Sequence, residues 1–293
     1  MNKTISEKLF NTLTKGKLLL NKESLERITH FVKSQKTEED IFINKNNTPD
    51  LYYTMFGWLL SYVLGIHTDD KKTSAYINQQ KTTDLDFIHY AAFIRCRLLQ
   101  KCLSKRFFAL GLGRLFPVPV RPLYTFSRFP HDDVESPYSR FVWLSMIEDA
   151  NQKIRNKTEL KTTLMKYHVP EGGFSNDKEN QSATTNATVA ALSILGQLYG
   201  YTVNKDVLYL KALQQESGGF SVAPHSPIPD LLSTATALFS LHCYQVKPKI
   251  SPRDFIEAHW LDSGGFSATL LEDTSDVEYT FYALLALGTT DGL

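Results

Sequence analysis

The sequence predicts an all-α protein built from six helical hairpins closed into a ring. Three observations predict it. The tripeptide Gly-Gly-Phe recurs at Gly172-Gly173-Phe174, Gly218-Gly219-Phe220 and Gly264-Gly265-Phe266, each copy 46 residues after the last. Ten residues past each Phe stand Thr184, Asp230 and Asp276, residue types that accept hydrogen bonds from the free N–H groups of a helix start. Each then opens an apolar run with the same register: Thr188, Thr234 and Thr280; Ala191, Ala237 and Ala283; Leu192, Leu238 and Leu284; Leu195, Leu241 and Leu287. Those offsets give the i, i+3, i+4, i+7 spacing of one helix face. A fixed period of this length marks stacked copies of one unit that share a continuous core.

The elements follow in order. Residues 1–23 read as a helical extension ahead of the first unit. "ITHFVKSQKTEEDIF" mixes charge with apolar residues, as an outer helix does, and "NTPDLYYTMFGWLLSYVLG" follows it as an inner helix starting near residue 50. "TTDLDFIHYAAFIRCRLL" starts the second inner helix at Asp84 or Asp86, and "ESPYSRFVWLSMI" the third near residue 135. Between them, residues 107–133 are too rich in Pro and Gly for a helix and interrupt the repeat. The remaining three inner helices start at 184, 230 and 276. "TVAALSILGQL" and "DVEYTFYALLALG" are apolar nearly all round, as buried helices are, whereas "NKDVLYLKAL" and "SPRDFIEAHW" are amphipathic. Inner helices would form one wall and outer helices a second. The whole of 1–293 reads as one domain.

Composition narrows the function classes. A formal net charge of +1 supplies no global field for nucleic acid. Cys96, Cys102 and Cys243 form no C-x-x-C pair, so neither a disulfide framework nor a zinc finger is expected. The N-terminal stretch lacks the apolar core of a signal peptide. The longest apolar run, near 52–66, is short for a bilayer crossing. The expectation is a cytoplasmic protein without membrane spans.

"YLKALQQESGGF", followed by Asp230 and a Thr/Ala/Leu helix, resembles the prenyltransferase and squalene cyclase repeat. The resemblance is closest to the β subunits of protein prenyltransferases. It is strong over 160–293 and weaker, though in register, over 24–150. It implies an (α/α)6 toroid whose aromatic central funnel holds an isoprenoid diphosphate or another lipid, with the diphosphate at the rim. It also implies a separate helical partner like the family's α subunit.

The family's zinc site uses an Asp-x-Cys pair and a later His. Asp230 matches the Asp, but Leu232 stands at the Cys position and Tyr279 at the His position. The zinc pattern is not retained, so no metal site is expected, and magnesium accompanying a diphosphate is the remaining cofactor expectation. Class II terpene cyclases place an Asp-x-Asp-Asp-Thr box at the same point of the repeat. "DVEYT" puts Asp276, Glu278 and Thr280 in the first, third and fifth slots. A carboxyl that protonates an alkene must be kept protonated beside a group that orients it. Asp276, Glu278 and Asp230 are therefore the catalytic candidates. The competing reading is that acids at a helix start simply favour its partial positive charge.

Residues 87–131 carry Arg95, Arg97, Lys101, Lys105, Arg106, Arg114, Arg121 and Arg128 with no Asp or Glu. This run reads either as a diphosphate rim, with Arg95 a binding residue, or as a solvated face. Among inner-helix aromatics, Tyr53, Trp58, Trp143 and Tyr279 are the candidate chain-binding residues. Three functions follow. One is an isoprenoid-diphosphate binder that transfers the prenyl group, and another a cyclase-like enzyme using a helix-start carboxylate as acid. The third is a non-catalytic toroid that takes a peptide or protein into its funnel.

Overall fold

The computed structural model describes residues 3–105, 135–150, 152, 154, 156–179 and 182–290. Twelve α-helices occupy the described residues: α1 Ile5–Leu18, α2 Lys22–Ser34, α3 Leu51–Leu64, α4 Asp70–Gln79, α5 Phe87–Lys105, α6 Pro137–Asp149, α7 Lys157–Leu164, α8 Thr185–Tyr199, α9 Lys205–Ala212, α10 Leu231–Cys243, α11 Arg253–Ala258 and α12 Val277–Leu287. The inner helices are α3, α5, α6, α8, α10 and α12. Each packs on the next in that order, and α12 returns to pack on α3, so the ring is closed. The outer helices α2, α4, α7, α9 and α11 stand behind them. The segment between α5 and α6, with the loop expected over 107–133 and the basic residues Arg106, Arg114, Arg121 and Arg128, lies outside the described residues.

Helix starts form where the sequence places capping side chains. Asp50, Ser136, Thr184, Asp230 and Asp276 each accept a backbone N–H from the first turn of α3, α6, α8, α10 and α12. In the second repeat Asp86 does the same for the N–H of His89, at 2.8 Å. Most residues of α3, α8, α10 and α12 are buried, which explains why their apolar residues run nearly all round.

The recurring Thr has a definite role. The backbone N–H of Phe174, Phe220 and Phe266 donates to Oγ1 of Thr188, Thr234 and Thr280 at 2.9, 2.8 and 3.3 Å. Phe42 N–H donates likewise to Thr54 Oγ1 at 3.1 Å. Isolated β-bridges pair Phe174 with Thr184, Phe220 with Asp230 and Phe266 with Asp276. Each turn is thereby tied to the helix that follows. Gly218 and Gly264 hold φ of 90° and 91°, in the region glycine tolerates best. At Gly219 and Gly265 an added Cβ would lie 2.5 Å from the rings of Phe255 and Phe31. The last turn therefore packs on α2, the first outer helix, and Arg27 of α2 stacks 4.3 Å over the Trp260 ring. These contacts join the last repeat to the first in the outer layer.

Helix α1 crosses the C-terminal ends of the inner helices. A capping box between Thr4 and Glu7 starts it. The Ile5 N–H donates to Glu148 Oε2 at the end of α6 (2.9 Å), and Lys17 Nζ donates to the Val63 carbonyl at the end of α3 (2.8 Å). Between these, Gly16 and Gly288 let α1 and α12 touch backbone to backbone. A Cβ at Gly16 would fall 1.9 Å from the Leu284 carbonyl oxygen, and one at Gly288 would fall 1.8 Å from that of Thr12. Helix α1 thus forms a floor under the ring. No helix of the described residues is long and apolar enough to cross a membrane.

Candidate functional site

The ring encloses a cavity of about 330 Å³. All six inner helices line it with one stripe each. On α12 the stripe is Glu278, Phe281, Tyr282 and Leu285, and on α3 it is Tyr52, Met55, Phe56 and Leu59. Both keep the i, i+3, i+4, i+7 spacing of a helix face. Space survives because several facing residues are small: Ala91 and Ala92 on α5, Ala190 and Ser193 on α8. Leu9, Phe10 and Leu13 of α1 close the floor. Tyr138, which lines the opposite end at the helix starts, is 37% exposed and marks the mouth.

Ionisable groups interrupt this largely apolar wall at its two ends. At the mouth, the Tyr52 hydroxyl donates to Glu278 Oε1 at 2.7 Å. Burial, reinforced by the Asp276 carboxylate, pushes the Glu278 carboxyl up to about 7, against the opposing pull of Tyr52 and Lys45. Aromatic rings surround it: Tyr52 and Phe56 meet edge to face with centroids 4.9 Å apart, and Phe56 and Phe281 lie 5.0 Å apart. Burial raises the phenols of Tyr52, Tyr138 and Tyr282 as well. This corner therefore holds a carboxyl that is substantially protonated at neutral pH, facing an apolar chamber.

At the floor, Arg95 of α5 meets Asp149 of α6 and Ser6 of α1. Arg95 Nε lies 3.3 Å from Asp149 Oδ2, Arg95 Nη2 donates to Ser6 Oγ at 2.9 Å, and Ser6 Oγ donates to Asp149 Oδ2 at 2.8 Å. The Asp149 side chain is fully buried. Loss of hydration pushes its carboxyl up to about 6 even though Arg95 pulls it down.

The expected site residues divide accordingly. Glu278 and Arg95 face the cavity, at opposite ends. Arg95 stands on the floor, not on the rim expected of a diphosphate ligand, because it lies two turns into α5 and reaches toward α6 and α1. Asp230 and Asp276 stay at the helix starts, where their Oδ1 atoms accept the N–H of Ser233 and Tyr279 at 2.7 and 2.8 Å. Burial also raises the Asp276 carboxyl, and Lys45 Nζ approaches it at 3.8 Å. Tyr279 carries Lys45 5.2 Å from its ring centroid. Tyr53 and Tyr279 are not among the residues lining the cavity.

Trp58 and Trp143, the two tryptophans expected on the wall, also lie away from it. Trp58 is fully buried and its indole N–H donates to the Asp40 carbonyl at 3.0 Å, so it packs behind the wall. Trp143 sits half-buried between two core clusters. Both were expected on the wall because a helix that is apolar all round does not reveal which ring faces inward.

Sequence reasoning missed Ser6, Leu9, Phe10 and Leu13, together with Asp149. The apolar spacing of Leu9 and Leu13 and the capping box at Thr4 were legible, but not that this helix would cover the ring. The positions that hold zinc in the family carry other chemistry here. Leu232 lines the cavity with no donor atom, the Asp230 carboxylate is engaged as a cap, and the described residues contain no group of three His, Cys, Asp or Glu that could hold a metal. The residues present do not fit zinc.

A closed ring of inner and outer helices around an apolar chamber defines an α/α toroid. The family model described as the prenyltransferase alpha-alpha toroid domain matches residues 138–287, just over half of the chain, and the chain belongs to that family. The matched stretch runs from α6 to the end of α12, and α3 and α5 complete the ring outside it. Among curated proteins none matches the chain.

Proposed function

We propose that the protein binds an isoprenoid-type chain in the central cavity, with the chain's functional end at the mouth beside Glu278. The observation that carries this reading is the wall itself: aromatic and aliphatic side chains from all six inner helices around a volume at the lower end of small-molecule pockets. Displacing water from such a wall favours an apolar guest by about 25 cal/mol per Å² of apolar surface covered. Glu278 lines the mouth, while Asp50 and Asp276 cap the helix starts on either side of it and Lys45 lies 3.8 Å from Asp276; this acidic surrounding favours a neutral chain end, or a diphosphate that arrives with its own magnesium. Calorimetric titration with farnesol and farnesyl diphosphate tests this. Binding at micromolar concentration or tighter, abolished by Leu232→Trp, is expected, and no heat with either ligand would contradict it.

A second reading has its own observation in Glu278. A protonated carboxyl facing an apolar chamber and oriented by Tyr52 suits proton donation to an alkene carbon. The alkene's π electrons would take the proton, and the resulting cation would rearrange within the aromatic walls before losing a proton. Under this reading Glu278→Gln retains chain binding but loses all product, measured by chromatography of extracted lipid. Unchanged turnover would remove Glu278 from the chemistry.

A further inference from the structure

We propose that Arg95, held by Asp149 and Ser6, is a binding subsite on the cavity floor for an uncharged oxygen, a hydroxyl or carbonyl, at the leading end of the bound chain. This rests on the reading of the cavity as a chain-binding site and adds what the far end of the chain must carry.

A plain hydrocarbon terminus calls for an apolar floor. The floor contributed by α1 is otherwise apolar, with Leu9, Phe10 and Leu13. Yet a guanidinium stands among them and lines the cavity, its side chain 17% exposed. Its donors are only partly engaged. Nε and Nη2 serve Asp149 and Ser6, while Nη1 turns to the Met55 sulfur at 3.6 Å, a weak acceptor. In addition, Asp149 Oδ1 is buried and has no hydrogen-bond partner among the described residues. The floor therefore holds unmet capacity of both kinds, a weakly engaged donor at Arg95 Nη1 and a buried acceptor at Asp149 Oδ1, both on residues that line the cavity.

A hydrocarbon end pressed onto this floor would strip water from Arg95 and return nothing, and leaving a charged donor unpaired is costly. An oxygen would accept from Nη1. Charge decides which oxygen. The adjacent Asp149 carboxylate offsets the guanidinium, so a neutral hydroxyl or carbonyl fits better than a carboxylate. The subsite also depends on α1, since Ser6 supplies one of the groups that fix the guanidinium plane. Arg95 is thus a specificity residue at the opposite end from Glu278.

The test compares two chains of equal length, farnesol and ω-hydroxyfarnesol, by calorimetry on the whole protein. Wild type should bind the ω-hydroxylated chain at least about 10-fold more tightly, the scale of one hydrogen bond to a charged group. Arg95→Lys keeps a cation beside Asp149 but withdraws the guanidinium fork, so it should lower that ratio to near one. Circular dichroism would verify that the variant folds, and if it does not fold the wild-type ratio alone decides. Equal or weaker binding of the ω-hydroxylated chain by wild type overturns the subsite and leaves the chain-binding reading intact. An unchanged ratio in a folded Arg95→Lys protein overturns it too. Binding of neither chain overturns both.

Discussion

Glu278 stands in an environment unlike that of an ordinary surface acid. Its carboxyl is raised from 4.5 to about 7, chiefly by burial. A raised acid binds more protons in the folded than in the unfolded state, so stability falls as pH rises through the interval between the two values. The loss begins near the unfolded pKa and levels off above about 7. Asp149 adds a slope of the same sign, ending near 6. Glu278→Gln should remove the Glu278 part, because Gln keeps an oxygen for Tyr52 and carries no charge. Urea unfolding should show the two proteins nearly equal at pH 5 and the variant more stable at pH 8 by about 2 kcal/mol. Equal stability at pH 8 would show that the Glu278 carboxylate is well solvated there. The raised value itself was not legible in sequence: "DVEYT" shows an acid at a helix start, and only packing against Tyr52, Phe281 and Tyr282 removes its water.

The hairpin is the element on which the ring depends, and its lock is the Thr hydroxyl that accepts the turn's Phe N–H. Thr234→Val keeps the shape and deletes the acceptor, leaving the Phe220 N–H buried and unpaired. A loss of about 1–3 kcal/mol is expected in denaturant unfolding, with Thr234→Ser close to wild type. If Val and Ser behave alike, the hydroxyl carries no such weight. At this scale the sequence was most informative. Thr188, Thr234 and Thr280 stood out by spacing, and the helix starts near 50, 84, 135, 184, 230 and 276 coincide with the capped ends of the inner helices. Capping and periodicity are local, so they survive in a single sequence. The inward stripe is not local. Phe56 and Trp58 look equivalent in an all-apolar helix, yet one lines the cavity and the other donates its indole N–H to Asp40 behind it.

At the scale of the whole molecule, six inner helices make the wall and α1 makes the floor. The floor depends on the Gly16–Gly288 crossing, where no side chain fits. Gly16→Val should push α1 off the Leu284 carbonyl, lower stability by about 1–3 kcal/mol and raise the fluorescence of a dye that binds exposed apolar surface. Unaltered stability and dye binding would mean that α1 is not a required cover. The closed ring was legible because each repeat carries the same unit; the floor was not, because α1 belongs to no repeat.

Every role proposed for the chamber requires that the ring admit an apolar chain as a guest. Crystals soaked with a prenyl chain carrying a bromine atom test it most directly through the anomalous signal. A bromine peak inside the chamber, between Phe281 at the wall and Phe10 on the floor, is expected. A peak only on the outer surface, with solvent filling the chamber, would contradict it.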